Sequence, residues 1–166
     1  MDLLQCIDQI FSETGTLVQL GGRHTTEQHQ YAKYVAQSLL NTGSTLSILE
    51  AETGIGKTIG YLTPILAFLA IKNSNEEECG KIVISTHTRQ LQKQIFDNDL
   101  SFAIRLIESI GLVNSTKTAY RMGRQAFFSY DRTINACNSL RIKTPTLEKE
   151  LRAFIGHVKR NITSGS

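Results

Sequence analysis

Apolar residues recur at helical spacing in two segments near the start of the chain. Apolar side chains at positions 3, 4, 7, 10 and 11 fall on one helical face, which predicts an amphipathic helix over residues 3–11. Three glycines between positions 15 and 22 indicate a loop after it. Residues 26–40 carry an apolar stripe every four residues from Tyr31 to Leu39, and Thr25 with Gln28 forms a candidate capping box. A second helix is therefore predicted over residues 26–40.

The pattern then changes from helical spacing to short apolar runs. Residues 45–49 alternate and end in a glycine-containing loop, and residues 81–86 form a second apolar run, so both are predicted to be β-strands. Residues 59–71 lie between them and fit a buried helix interrupted by Pro64. Residues 89–110 fit one or two further helices. This order predicts an α/β fold, with a parallel sheet that has helices on both faces.

Charge is distributed unevenly along the 166 residues. Residues 1–113 hold 8 Lys and Arg against 12 Asp and Glu, a formal charge of −4, whereas residues 114–166 hold 10 against 3, a charge of +7. Periodicity also weakens from residue 114, where we expect short helices. We therefore predict two domains, residues 1–113 and an incomplete, mostly helical domain over residues 114–166. The basic charge of the second domain suggests a nucleic acid as partner, although a solvated charged helix face explains it equally well.

Composition narrows the class of protein. Hydrophobic residues make up 40% of the chain and charged residues 20%, which favours a globular protein. No apolar stretch reaches the roughly 20 residues that cross a bilayer, and the first residues carry acids where a secretory signal would carry Lys or Arg. The three cysteines are odd in number and widely spaced, which favours free thiols over disulfides. We expect a cytoplasmic protein that does not span a membrane.

The segment from Glu50 to Thr58 has the sequence of a phosphate-binding loop, between a predicted strand and a predicted helix. Gly54 and Gly56 allow backbone N–H groups to approach phosphates closely, and the next helix adds the positive end of its dipole. We expect Lys57 to reach the β- and γ-phosphates as the catalytic residue, and the hydroxyl of Thr58 to coordinate Mg²⁺. The candidate nucleotide-binding residues of the loop are Glu52, Thr53, Gly54, Ile55, Gly56, Lys57 and Thr58.

Two segments of the chain together resemble a known family. The run Leu49–Pro64 resembles the first motif of the DinG/XPD group of superfamily 2 helicases, in which the P-loop helix continues into an apolar stretch with proline. The run Lys81–Gln94 is similar to the next motif of that group. Ala51 departs from the glycine of the full P-loop pattern, but many helicase-type ATPases tolerate alanine there. The resemblance implies a RecA-like P-loop domain that uses ATP and Mg²⁺ and translocates along single-stranded DNA in the 5′ to 3′ direction.

The resemblance also implies roles for residues outside the P-loop. Gln28 matches the glutamine that reads adenine in this family, although Arg23 lies two positions further from it than the family's usual spacing. The alternative for Gln28 is the capping box. Thr86, His87 and Thr88 match residues that contact the phosphates of single-stranded DNA, a role that suits small polar side chains. For His87 and Thr88, capping of the following helix is an equally good interpretation.

Family members carry an inserted domain that holds an iron–sulfur cluster on four cysteines. Here Ser129 occupies the position of the first cysteine and only Cys137 remains nearby, so we expect no cluster. An insert without a cluster resembles the CRISPR-associated branch of DinG helicases, which makes a CRISPR ribonucleoprotein complex a candidate partner of an otherwise monomeric protein. Arg121 and Arg124 are the candidates for DNA contacts in this insert.

The sequence lacks an identifiable carboxylate at the end of a later strand, which a P-loop ATPase needs to hold Mg²⁺ and orient water. Asp97 and Asp99 lie in a predicted helix instead. We therefore expect the N-terminal part of a longer helicase, inactive by itself. Two alternatives stay open: a small P-loop NTPase or kinase, and a nucleic-acid-binding module that binds ATP without hydrolysing it.

Overall fold

The computed structural model describes residues 2–123, 149–150 and 152–157. The chain forms two compact units, Met1–Thr118 and Ala119–Ser166. The division after residue 113, which charge and periodicity favour, stays a prediction. In the second unit, residues 149–150 and 152–157 are helical.

Helices form all the regular structure described in the first unit. They are α1 (Leu3–Phe11), α2 (Thr16–Gln19), α3 (Thr26–Leu40), α4 (Lys57–Ser74), α5 (Arg89–Gln94), a π-helical turn (Ile95–Asp99) and α6 (Leu100–Glu108). The predicted helices over residues 3–11 and 26–40 are confirmed with these bounds. The glycine-rich segment after α1 contains the short helix α2, which the loop prediction did not include.

Helix α4 is the centre of the first unit. It packs against α3, α6 and α1, and because its sequence is apolar on most sides, its buried residues run from Gly60 to Ala70. The helix continues through the buried Pro64. Its neighbours contribute Ile7, Ile10 and Phe11 from α1, Ala32 and Ala36 from α3, and Leu106 and Ile107 from α6. In the described part of the chain, no helix is long and apolar enough to cross a membrane.

The two predicted strands do not form in the described residues. Residues 45–49 and 81–86 have no regular secondary structure there, and large side chains in both are highly exposed: Leu46 by 86%, Ile48 by 84% and Val83 by 85%. A strand exists only when its N–H and C=O groups pair with a neighbouring strand, and the described residues include no such partner. The parallel sheet is therefore not confirmed.

Candidate functional site

The P-loop joins the segment of residues 45–49 to the start of α4. Gly54 and Gly56 have left-handed φ angles of 90° and 82°, which a residue with a side chain adopts at a cost. Gly56 is the N-cap of α4, and Lys57 is its first residue. The free N–H groups of the first turn of an 18-residue helix therefore lie at the end of the loop, where they favour an anion.

Lys57 is held by its own loop. Its Nζ donates hydrogen bonds to the carbonyl oxygens of Ala51, at 2.8 Å, and Glu52, at 2.6 Å. These bonds draw the ammonium group over the loop. The sequence predicts that the phosphates of a nucleotide bind at this place. Oxygens that carry a negative charge make stronger hydrogen bonds with an ammonium group than backbone carbonyls do, so this position of Lys57 suits an anion.

Thr58 follows in the first turn of α4 and is half-buried. One turn later, burial raises the pKa of the Tyr61 hydroxyl, and a hydrogen bond with the side chain of Thr58 partly opposes that shift. The Thr58 hydroxyl therefore lies next to a polar partner at the end of the loop, where the sequence predicts a ligand of Mg²⁺. It fits as one oxygen ligand of the ion. Among the described residues, no three His, Cys, Asp or Glu side chains gather as a metal site.

Gln28 contacts the P-loop directly. The residue is 5% exposed, and its Nε2 donates to the carbonyl oxygen of Gly56 at 3.0 Å. Only half of the expected capping box forms, because Thr25 Oγ1 accepts from the Gln28 N–H at 3.2 Å while the Gln28 side chain turns to the loop. The contact is close: a Cβ atom on Gly56 would lie 2.3 Å from Gln28 Nε2.

A cavity of 690 Å³ adjoins the loop on the side of α3. Helix α3 lines it with Glu27, Gln30, Tyr31 and Tyr34, and the loop side contributes residues 48–52 and Ile55. Burial raises the pKa of Tyr31, so its hydroxyl stays neutral at physiological pH. The cavity is therefore open, partly aromatic and bordered by carboxylates.

A set of polar contacts, which we name the α1–α3 polar cluster, joins Asp8 of α1 to His29 and Lys33 of α3. Asp8 Oδ1 accepts from His29 Nε2 and from Lys33 Nζ, each at 2.7 Å. Partial burial acts to raise the pKa of the Asp8 carboxyl, but hydrogen bonds from Lys33 and His29, with their charges, outweigh it and hold the pKa below its usual value. An ionised carboxylate only accepts, so His29 carries its proton on Nε2.

The residues predicted to contact DNA phosphates lie at the start of α5. Thr88 Oγ1 accepts from the Leu91 N–H at 3.2 Å, so Thr88 caps this helix, as the alternative interpretation states. Thr86 Oγ1 donates to the Thr88 carbonyl at 3.2 Å, and His87 is exposed. The threonine hydroxyls thus shape the turn, and His87 lies on its surface.

The structure brings some predicted site residues together and leaves others outside. Residues 52–58 and Gln28 form one site at the start of α4. Arg121 is exposed in the second unit, whereas Arg124, Ser129 and Cys137 lie outside the described residues. The DNA contacts of both arginines and the absence of an iron–sulfur cluster therefore stay predictions.

Sequence reasoning did not find the α1–α3 polar cluster. Asp8, His29 and Lys33 occupy polar positions of amphipathic helices, where charged residues are common and carry no motif. The bond from Gln28 to Gly56 was also missed, because it spans 28 residues of sequence. The sequence holds one weak signal for the cavity. Tyr31 and Tyr34 are three positions apart, so both aromatic side chains lie on the same face of α3, and this face lines the cavity.

The proteins that this chain resembles are helicases, which agrees with a P-loop at the start of α4. The model of the DEAD/DEAH box helicase family matches residues 9–145. The chain is 34% identical over 134 residues to the ATP-dependent DNA helicase YoaA of Haemophilus influenzae, which covers 80% of this chain and 18% of that protein. It is 35% identical over 83 residues to the ATP-dependent DNA helicase DinG of Salmonella choleraesuis, covering 50% of this chain and 11% of the relative. It is 30% identical over 119 residues to the ATP-dependent helicase DinG of Mycobacterium tuberculosis, covering 70% and 16%.

These matches confirm the resemblance to DinG-type helicases. No solved structure matches the chain. The chain spans less than a fifth of the length of these curated relatives. The family implies a RecA-like α/β fold, of which the described residues contain the helices. From the family match and the P-loop at the start of α4, we conclude that this chain belongs to the DEAD/DEAH box helicases.

Proposed function

We propose that residues 1–166 are the nucleotide-binding N-terminal part of an ATP-dependent helicase that translocates along single-stranded DNA. The P-loop carries the proposal. Two glycines with left-handed backbone conformation lead into an 18-residue helix that begins with Lys57 and Thr58, in a chain that matches a helicase family. This is the arrangement that binds the phosphates of a nucleoside triphosphate.

In this proposal the loop residues have separate roles. Backbone N–H groups of residues 52–58 bind the phosphates, and the Lys57 ammonium leaves the carbonyls of Ala51 and Glu52 to neutralise the β- and γ-phosphates. The Thr58 hydroxyl would be one ligand of Mg²⁺, and the ion would offset the charge that develops on the phosphates. Gln28, which the family resemblance assigns to adenine, lies close enough to the loop to act on the same nucleotide.

In this proposal, residues 1–166 bind ATP but do not carry all the groups that hydrolyse it. Hydrolysis requires a carboxylate that holds Mg²⁺ and orients water, and the rest of the helicase supplies it. We infer that the same remaining part supplies the strands that pair with residues 45–49 and 81–86, because Leu46, Ile48 and Val83 are too exposed for a finished sheet. The chain by itself is therefore expected to bind ATP weakly and not to hydrolyse it.

The DNA side of the proposal rests on the turn before α5 and on the second unit. In the first unit, exposed His87 and the backbone N–H groups of residues 86–88 would bind phosphates of single-stranded DNA. In the second unit, Arg121 and Arg124 are separate candidates for such contacts. The 5′ to 3′ direction and a CRISPR ribonucleoprotein as partner come from the resemblance to DinG helicases alone.

The test is DNA-stimulated ATP hydrolysis by the full-length protein, measured as phosphate release. Lys57→Ala should remove the stimulated activity. Lys72→Ala is the matched control, because Lys72 lies on the same helix and pairs with Glu77 instead of the loop. Strand displacement on duplexes with a 5′ or a 3′ tail then reports the direction.

Equal hydrolysis by the Lys57→Ala and Lys72→Ala variants would refute the nucleotide site. Stimulated turnover by residues 1–166 alone, above that of Lys57→Ala, would refute the division of labour between this part and the rest. Salt-dependent DNA binding that ignores ATP and persists in Lys57→Ala would favour the non-hydrolysing binding module instead.

A further inference from the structure

Helix α1 is not part of the P-loop, yet it contacts the helix that carries Gln28. On one side of Gln28, Asp8 accepts hydrogen bonds from His29 and Lys33, each at 2.7 Å. On the other side, His24 Nδ1 donates to the carbonyl oxygen of Phe11, the last residue of α1, at 2.7 Å. Because these bonds flank Gln28 in sequence, α1 fixes the position of the first turns of α3.

The first turn of α3 in turn contacts the P-loop. Gln28 is buried, and its Nε2 donates to the carbonyl oxygen of Gly56 at 3.0 Å. Gly56 is the residue before Lys57 and the N-cap of α4. A shift of Gln28 therefore changes the hydrogen bond to Gly56, and Gly56 is the residue at which the P-loop enters α4.

We propose that Asp8 is a positioning residue for nucleotide binding, which holds α3 through His29 and Lys33 and thereby keeps the Gln28 amide against the Gly56 carbonyl. The proposal rests on the proposed function of the P-loop. Asp8 acts through α3 and is assigned no contact with the nucleotide. The role falls to a residue 49 positions before Lys57, in a helix that carries no helicase motif.

If Asp8 had a purely structural role, its loss would lower the thermal midpoint of unfolding at least as much as nucleotide affinity. The proposal predicts the opposite order. Helix α1 is attached by an apolar face that buries Ile7, Ile10 and Phe11, whereas the Asp8 side chain is 51% exposed. Exposed ion pairs contribute little to global stability because water screens them. Loss of the Asp8 charge should leave α1 in place and loosen only the first turns of α3. Nucleotide affinity should then change more than the thermal midpoint.

The experiment measures the affinity of the full-length protein for a fluorescent ATP analogue by anisotropy. We expect Asp8→Asn to weaken binding by about two- to fivefold, the range that an exposed ion pair can supply if it acts wholly on binding. Asp8→Glu, which keeps the carboxylate, should bind more tightly than Asp8→Asn. Glu77→Gln is the matched control, because it removes an exposed ion pair with Lys72 near the other end of α4.

The route through Gln28 is tested by a double variant. If Asp8 acts through Gln28, then Asp8→Asn combined with Gln28→Ala should bind the analogue no more weakly than Gln28→Ala alone. In steady-state kinetics, Asp8→Asn should raise the KM for ATP and leave kcat at saturating ATP unchanged.

The results of these experiments test the role of Asp8 separately from the proposed function of the P-loop. Wild-type affinity in Asp8→Asn, an equal loss in Glu77→Gln, or additive losses in the double variant would overturn the role of Asp8. A wild-type protein that binds the analogue no better than Lys57→Ala would instead overturn the proposed function of the P-loop, so the two failures are distinguishable.

Discussion

The contact between Gln28 and Gly56 allows one substitution to be examined quantitatively. Gly56→Ala places a Cβ atom 2.3 Å from Gln28 Nε2 and 3.0 Å from its Cδ, in a residue whose φ is 82°. A Cβ contact shorter than 3.0 Å does not persist, so the amide end of the Gln28 side chain must shift, and we expect it to lose its bond to the Gly56 carbonyl. Two separate costs are therefore expected.

The first cost is conformational and the second is the lost hydrogen bond. A left-handed conformation costs an L-residue roughly 1–2 kcal/mol. A net intramolecular hydrogen bond contributes about 0.5–1.5 kcal/mol. The free energy of unfolding of Gly56→Ala should therefore fall by about 1.5–3.5 kcal/mol.

Gly54→Ala separates the two costs. Gly54 has a φ of 90°, and no described atom lies within 4 Å of the added Cβ, so only the conformational cost of about 1–2 kcal/mol is expected. In a Gln28→Ala background the steric conflict is absent, and Gly56→Ala should then cost no more than Gly54→Ala does.

The assay is equilibrium unfolding of the 166-residue chain in urea, followed by far-UV circular dichroism. The midpoints should shift while the slope with urea concentration stays constant, because the surface exposed on unfolding is unchanged. If Gly56→Ala proved no more destabilising than Gly54→Ala, or if Gln28→Ala failed to reduce its cost, the contact between Gln28 and the loop would be wrong.

Three further predictions follow from single contacts. The pKa of Asp8 is lowered in the folded chain, so its stabilising contribution is full above the unfolded value of about 3.9 and disappears as pH falls through the lower folded value. Because the pair is exposed, urea unfolding of wild type and Asp8→Asn should show a small difference in stability at neutral pH that vanishes in acid, and a difference that persists in acid would contradict this. Thr88→Ala removes the cap of α5 and should cost about 1 kcal/mol, measured by thermal unfolding, whereas Thr86→Ala should cost less because the Thr88 carbonyl that its hydroxyl bonds also accepts from the Gln92 N–H. Thr63 is fully buried, and no described group forms a hydrogen bond with its hydroxyl, so the isosteric Thr63→Val should leave stability unchanged or raise it by up to roughly 1 kcal/mol; a loss of more than about 1 kcal/mol would mean that the hydroxyl is bonded after all.

The sequence by itself predicted α1, α3 and the position of the P-loop. Helix α3 has its predicted bounds because the apolar stripe and the Thr25 cap are local, and local signals need no other part of the fold. The residue types in 52–58 also limit the chemistry, since only glycine reaches left-handed φ cheaply and only a cationic side chain neutralises phosphates. The family resemblance rested on the run Leu49–Pro64, which includes these residues, and on the run Lys81–Gln94.

Tertiary structure decided which residues act together. The sequence allows two interpretations of the Gln28 amide, as part of a helix cap or as a ligand-binding group. Its contact with Gly56 arises only from the packing of α3 on α4. Asp8 became part of the site in the same way, because helix packing brings α1 to α3 across 21 residues. The predicted strands of residues 45–49 and 81–86 needed partners for their backbone groups, and in the described residues they stay unpaired. Helices satisfy their hydrogen bonds within one segment, whereas strands depend on residues elsewhere, which is why the sequence predicted α1 and α3 with their observed bounds and left the sheet undecided.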